Sequence, residues 1–382
     1  AIYGMAVVLA PAIGPTLGGY ITDNFDWRWI FFINVPVAIV SLFLTSRLVE
    51  DPPHLAEMRK RVGSVDYVGL GLIAIGVGAA QVVLDKGQRE DWFSSNFILI
   101  FQIMSTVCII SAIFWEYHHP NPVIDIRLFK NINFSISCIM MFMLGAALFG
   151  ATVLLPQMVQ TLMGYTAEQA GLVLSPGAVV IILLLPFVGK LIGKIDARYM
   201  IAAGFLGAGL ALIHMTVVNP AMDFRTIVLL RVYQMAGVAL IFVPIQTMTY
   251  VGIPMEKNNN VSGMINLARN MGGSIGIAGL ETILARRTQF HQNVLSSHTS
   301  QYDNAFQSSV AGLTQTLTQA GYDAVTAGQV AYARLYGMMQ VQAAWLAYID
   351  TIWIYAFACL SVVPLAFFMK RPKKNAAPGA MH

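Results

Sequence analysis

The chain has 382 residues, 57% of them hydrophobic and only 11% charged, with a formal net charge of +4 and a mean hydropathy of +0.65. A water-soluble domain carries about 25% charged residues, so composition excludes one and makes this an integral membrane protein. The three cysteines, Cys108, Cys138 and Cys359, all lie inside apolar runs, without metal-site spacing or a disulfide pattern.

Ten apolar stretches are long enough to span at roughly 20 residues each: 1–22, 29–48, 65–84, 97–116, 134–156, 170–189, 199–218, 226–250, 260–284 and 346–369. With the first running outwards from the cytoplasm, the inside loops hold fourteen Lys and Arg and the outside segments seven, the asymmetry expected of a membrane protein. Both ends are then cytoplasmic. No secretory signal peptide opens the chain and no initiator Met is present, so it reads as a fragment whose N-terminal part is absent.

The first span, GMAVVLAPAIGPTLGGYI over 4–21, has small residues at helical spacing. Gly14, Gly18 and Gly19 mark a surface where helix backbones meet, and Pro15 a place to bend. The run resembles motif C of major facilitator superfamily exporters, G-x8-G-x3-G-P-x2-G-G, with Ala1 and Ala10 in place of the two leading glycines. WRWIFFINVPVAIV follows it, as in the EmrB/QacA type of drug:proton antiporter. LDKGQREDWFSS (84–95) lies between two spans resembling the extra pair of fourteen-span members. GKLIGKIDAR (189–198) resembles the second copy of the cytoplasmic motif A loop in Gly189, Lys190, Lys194, Asp196 and Arg198, with Gly193 where the usual acid stands. INLARNMGGSIGIAG (265–279) and the ARRTQFHQ that follows are similar to the eleventh core helix of EmrB-like pumps.

The resemblance implies an all-α membrane protein of the major facilitator superfamily fold, with ten transmembrane helices here of fourteen in the full chain. Residues 1–61 would close the N-terminal bundle, 62–133 hold the two extra linker helices and a cytoplasmic loop, 134–374 form the C-terminal bundle, and 375–382 be a tail. The absent helices would carry the first-helix acid. The implied function is proton-coupled multidrug efflux at a bacterial inner membrane; an exporter of one metabolite or siderophore-like acid is the alternative. Small-molecule drugs and membrane lipid are the expected contacts, with no cofactor beyond the proton gradient and no nucleic acid.

Charged groups inside spans are expensive and usually face a cavity or a partner. Arg269 is the deepest, with Asn266 and Asn270 beside it. It either faces a substrate cavity or locks helices together. Arg231, Glu281 and Asp350 lie in the outer third of three spans, and desolvation balanced by a nearby Arg suits carboxylates that exchange protons; a static outer ion pair is the other reading. Gln157, Gln160, Gln234 and Gln246 are amides for a ligand or for a neighbouring helix. His118 and His119 have no metal-ligand spacing around them, so no metal site is expected. Walker A, Gly-x-Ser-x-Gly and His-Glu-x-x-His are all absent, which argues against an ATPase or hydrolase.

The stretch 288–345 is polar, yet Val310, Leu313, Leu317 and Ala320 recur at helical spacing and Gly321 would end that helix. Such an external hairpin predicts docking, either on the pump's own outer face or on a periplasmic adaptor of the EmrA kind that contacts an outer-membrane channel.

Overall fold

The computed structural model describes residues 2–48, 66–120, 122–217, 219, 222–297, 299 and 302–370. The domain junction placed at 61/62, the tail 375–382 and Ala1 of motif C fall outside these residues. Helices make up the architecture: α1 (Ile2–Asn24), α2 (Asn34–Leu48), α3 (Tyr67–Lys86), α4 (Asn96–His118), α5 (Ile132–Met163), α6 (Ala167–Ile192), α7 (Ala197–Met215), α8 (Phe224–Thr249), α9 (Asn258–Ser296), α10 (Asn304–Gln319) and α11 (Ala324–Ser361). Among the described residues, eight helical segments are long and apolar enough to cross a membrane, against the ten stretches read from sequence. α9 falls outside that count, because Asn258–Asn260, Asn266, Arg269 and Asn270 dilute its apolar run.

α5, α6, α7, α8, α9 and α11 form one bundle around two buried apolar clusters. Its helices meet through small residues. A Cβ on Gly272 of α9 would overlap the Phe142 carbonyl of α5, one on Gly145 the Arg269 carbonyl, and one on Gly276 would lie 2.8 Å from Ala146 Cα. Gly237 of α8 and Gly204 of α7 make the same kind of contact, with a Cβ on Gly237 only 2.5 Å from the Ala208 nitrogen. Without a hydrophobic difference between lipid and side chain, such packing is what holds spans together. Proline sits inside three of these helices, at Pro156, Pro176, Pro186 and Pro244, each removing one backbone bond.

α1 packs along α6. Gly19 lies directly against α6, where a Cβ would come 2.9 Å from Glu168 Cα, and Gly171 is its counterpart against Pro15. The Asp23 carboxylate accepts the Glu168 N–H at 2.7 Å, placing an anion at the α6 N-terminus where the helix dipole favours it. Gly14 and Gly18, read from sequence as part of the packing surface, would meet nothing within 4 Å if given a Cβ. Among the described residues the close approach belongs to Gly19 and not to them.

α3 and α4 pair as a hairpin, with Ser105 Oγ donating to the Gly76 carbonyl at 3.0 Å. Outside, α9 and α11 run well past the predicted spans 260–284 and 346–369 as unbroken helices, since no proline interrupts either. α10 lies on the start of α11, with Leu317 buried against Ala327 and Ala331. Gly321, at φ +100, supplies the left-handed residue that stops α10. The Asp303 and Asp323 carboxylates cap α10 and α11.

Replacing Gly272 with Ala should overpack the α5–α9 contact and cost roughly 1–3 kcal/mol, whereas Gly279→Ala, with open space around it, should be neutral. Melting temperatures of the two variants in detergent check this.

Candidate functional site

A cavity of about 180 Å³ opens between α1, α5, α6, α8 and α9. Its wall is apolar, with Leu148 and Phe149 from α5, Leu174 and Ile181 from α6, and Met235 and Phe242 from α8, while Pro15 of α1 closes one side. Two of the lining residues are ionisable, and both are arginines, Arg231 and Arg269.

Arg231 enters from the outer half of α8, about 10 Å along the axis from Phe224 at 1.5 Å per residue. It is 3% exposed. Nη1 donates to Gln234 Oε1 at 2.7 Å and Nη2 to Thr152 Oγ1 at 3.2 Å, while Nε is buried without a partner. Gly177 of α6 leaves it room, since a Cβ there would come 3.1 Å from Arg231 Cγ. Arg269 enters from the inner half of α9, and its Nε is likewise buried and unpaired. Among the described residues neither guanidinium reaches a carboxylate. A desolvated cation without a counter-charge is costly. Two of them in one apolar cavity are chemically suited to a group that brings negative charge or strong acceptors, together with an apolar body.

Several predicted residues are elsewhere. Asn266 donates to the Ser262 carbonyl of its own helix at 2.9 Å, and Asn270 is exposed, so neither joins Arg269 at the cavity. Gln234 acts through Arg231. Gln157 carries a buried, unpartnered Oε1, while Gln160 is exposed and Gln246 partly buried; none of the three lines the cavity. Thr152 went unnoticed in the sequence. A threonine in a span ordinarily bonds the carbonyl four residues back, as this one does to Leu148 at 2.6 Å, and nothing in its neighbours marks it as an acceptor for Arg231.

The outer carboxylates separate. Asp350 of α11 does not pair with Arg231, the neighbour suggested by matching depth. Its Oδ2 takes Arg287 Nε and His291 Nε2, both at 2.6 Å, and Arg287 Nη2 at 2.5 Å. The helical period explains this: Arg287 and His291 are four residues apart on α9 and present one face to α11. Arg287 also stacks over Phe290, 4.8 Å from the ring centre. Glu281 is half-buried and, among the described residues, has no hydrogen bond or ion pair. In the loop resembling motif A, Asp196 caps α7 and pairs with Arg198 at 2.7 Å, and Arg198 Nη1 donates to the Met369 carbonyl at 3.1 Å. Gly189, Lys190 and Lys194 are exposed there.

The family described as Major Facilitator Superfamily matches residues 1–277. The chain is 36% identical over 324 residues to the multidrug export protein EmrB of Escherichia coli (strain K12), covering 84% of this chain and 62% of that protein. It is 33% identical over 315 residues to the fatty acid resistance protein FarB of Neisseria gonorrhoeae, covering 82% and 61%. A colistin resistance protein EmrB of Acinetobacter baumannii is 27% identical over 376 residues, covering 98% and 72%. The chain thus spans about 62% of the length of the first of these relatives.

Arg269→Gln should weaken binding of an amphipathic carboxylate about tenfold, the equivalent of roughly 1.5 kcal/mol for a hydrogen bond to a charged group. A neutral amphiphile of the same chain length should bind unchanged; titration calorimetry with the two ligands checks the split.

Proposed function

Since the chain belongs to the major facilitator superfamily, whose profile matches most of it, we propose that the protein is a proton-driven exporter of hydrophobic and amphipathic toxic compounds, with weak acids well represented among them. It is a multi-pass membrane protein of a transporter family and not an enzyme; the inner membrane of a two-membrane bacterium is its place. The observation that carries the substrate reading is the central cavity, apolar in its wall and charged only by Arg231 and Arg269. Apolar lining accepts varied bodies, and a few polar groups set orientation. That the relatives include a multidrug export protein and a fatty acid resistance protein supports this breadth. The two arginines also favour the narrower second reading, export of one acidic metabolite, which a narrow substrate range would distinguish. Cells expressing the full-length gene should tolerate a panel of lipophilic weak acids and drugs several-fold better than controls, and lose that advantage when an uncoupler is added. Protection limited to one compound would favour the second reading, and protection surviving the uncoupler would remove the proton as driving ion.

Proton exchange is assigned to the Asp350 cluster, where one carboxylate bridges Arg287 and His291 of the neighbouring helix. Protonating Asp350 would release both, and alternating access needs a contact that opens and closes in this way. Asp350→Asn should reduce substrate-driven proton release in proteoliposomes at least tenfold with insertion intact; normal release would remove Asp350 as the acceptor and turn attention to Glu281.

The outer hairpin leaves Val325, Tyr332 and Tyr336 exposed along one side of α11 and Met338 on another, apolar surface suited to a partner. We assign it to a periplasmic adaptor of the EmrA kind that leads to an outer-membrane channel. Replacing 296–333 with a Gly/Ser linker should spare transport in inverted vesicles and abolish both adaptor co-purification and whole-cell resistance; survival of both would mean the hairpin serves only its own pump.

A further inference from the structure

The foot of the α3–α4 hairpin holds two carboxylates that the central cavity does not use. Asp66 and Glu116 are 7% and 1% exposed. Asp66 caps α3, its Oδ1 accepting the Gly69 N–H at 2.8 Å, and the Trp115 indole N–H lies 3.0 Å from both its oxygens. His119 Nδ1 is 3.6 Å from Asp66 Oδ2, and its ring stacks on Trp115. Glu116 Oε2 accepts the Ile124 N–H at 3.2 Å. Among the described residues, Glu116 Oε1 is buried without a hydrogen-bond partner.

Gly69 shows where that orphan oxygen points. A Cβ built on Gly69 would lie 2.5 Å from Asp66 Oδ2 and 2.5 Å from Glu116 Oε1, so no more than twice that distance separates the two oxygens. The missing side chain leaves the gap between them open. Two ionised carboxylates confined in a dry pocket repel, and the usual resolution is that the pair holds one proton in common.

We propose that Asp66 and Glu116 form a proton-binding site in which Glu116 Oε1 carries the proton and donates it to Asp66 Oδ2. The orphan acceptor becomes a donor, one of the two buried charges disappears, and every remaining oxygen has a partner. Asp66 is the ionised member. Burial alone would push its carboxyl up, but the Gly69 N–H, the Trp115 indole and His119 outweigh burial and hold it below the usual carboxylate range.

Among the described residues, His119 is the basic group that faces the pair, and the other nearby basic side chains are engaged elsewhere. Arg127 Nη2 is turned to the Tyr117 and His119 carbonyls at 2.8 and 3.4 Å, Lys257 binds Asp125 at 2.5 Å, and His118 faces the Phe114 carbonyl. Among the described residues, no group of three His, Cys, Asp or Glu side chains could hold a metal ion.

The site lies on the side that the positive-inside asymmetry makes cytoplasmic. Its connection runs further: the Ile124 N–H ends on Glu116, the neighbouring Asp125 is bound to Lys257, and Lys257 precedes α9, which carries Arg269. Losing the proton in an alkaline cytosol would set two anions against each other and loosen the strap between the hairpin and the start of α9.

Infrared spectroscopy of the purified protein in lipid nanodiscs tests this. At neutral pH a protonated-carboxyl band should be present in the native protein and missing from Glu116→Gln. Gln imitates the protonated acid, its amide donating to Asp66, so this variant should melt with the native protein at neutral pH and lack the fall the native protein shows in alkaline buffer. An unchanged carboxyl band in Glu116→Gln, or a lower melting temperature for it already at neutral pH, would show Glu116 to be ionised and overturn the proposal. Stabilisation of the native protein, but not of Glu116→Gln, by added divalent cations would overturn it in favour of a cation site.

Discussion

Lipid offers helices little reason to leave it, because an acyl chain solvates leucine as well as another leucine does. What keeps α5 on α9 and α1 on α6 is therefore the close approach of backbones, and that approach exists only where a side chain is missing. Gly145, Gly272 and Gly276 allow the first contact, Gly19 and Gly171 the second. The central cavity is the space left over where these contacts end and larger residues such as Phe149, Met235 and Phe242 begin. Its position thus follows from the distribution of small residues along five helices.

Within that frame the polar groups divide between two places. Among the described residues the two cations of the cavity lack counter-ions, and Arg231 donates only to the neutral oxygens of Gln234 and Thr152. Near the outer end the reverse holds, with one carboxylate shared by Arg287 and His291. An unpaired cation in a cavity is open to a ligand, whereas the Asp350 carboxylate already has its partners. Arg269 and the Arg287–His291 pair thus occupy different stretches of α9.

Much of the fold was legible because its signals are one-dimensional. Apolar run length marked the spans, Gly321 the end of α10, and Arg231 and Arg269 stood out as charges in lipid. What failed depended on direction around a helix axis. Gly14, Gly18 and Gly19 look alike in sequence, yet among the described residues only Gly19 turns toward α6. Asn266 and Asn270 sit next to Arg269 in the chain but bond their own helix or face outward. Asp350 was matched to Arg231 by depth, and no sequence rule says which of several helices at one depth will be adjacent. Thr152 had no signal of its own.

α9 is a single helix of 39 residues, and its closest approach to α5 runs from Arg269, whose backbone lies against Gly145, through Gly272 to Gly276. Arg269 thus sits inside the clamp, while His291 lies about 22 Å beyond its far end at 1.5 Å per residue. Mechanically the helix is a cantilever, held by backbone contact at one end and by the Asp350 cluster far along its length. A bend near the outer end fades toward the clamp, so the geometry fixes the Arg269 backbone in place and leaves deflection to the outer stretch.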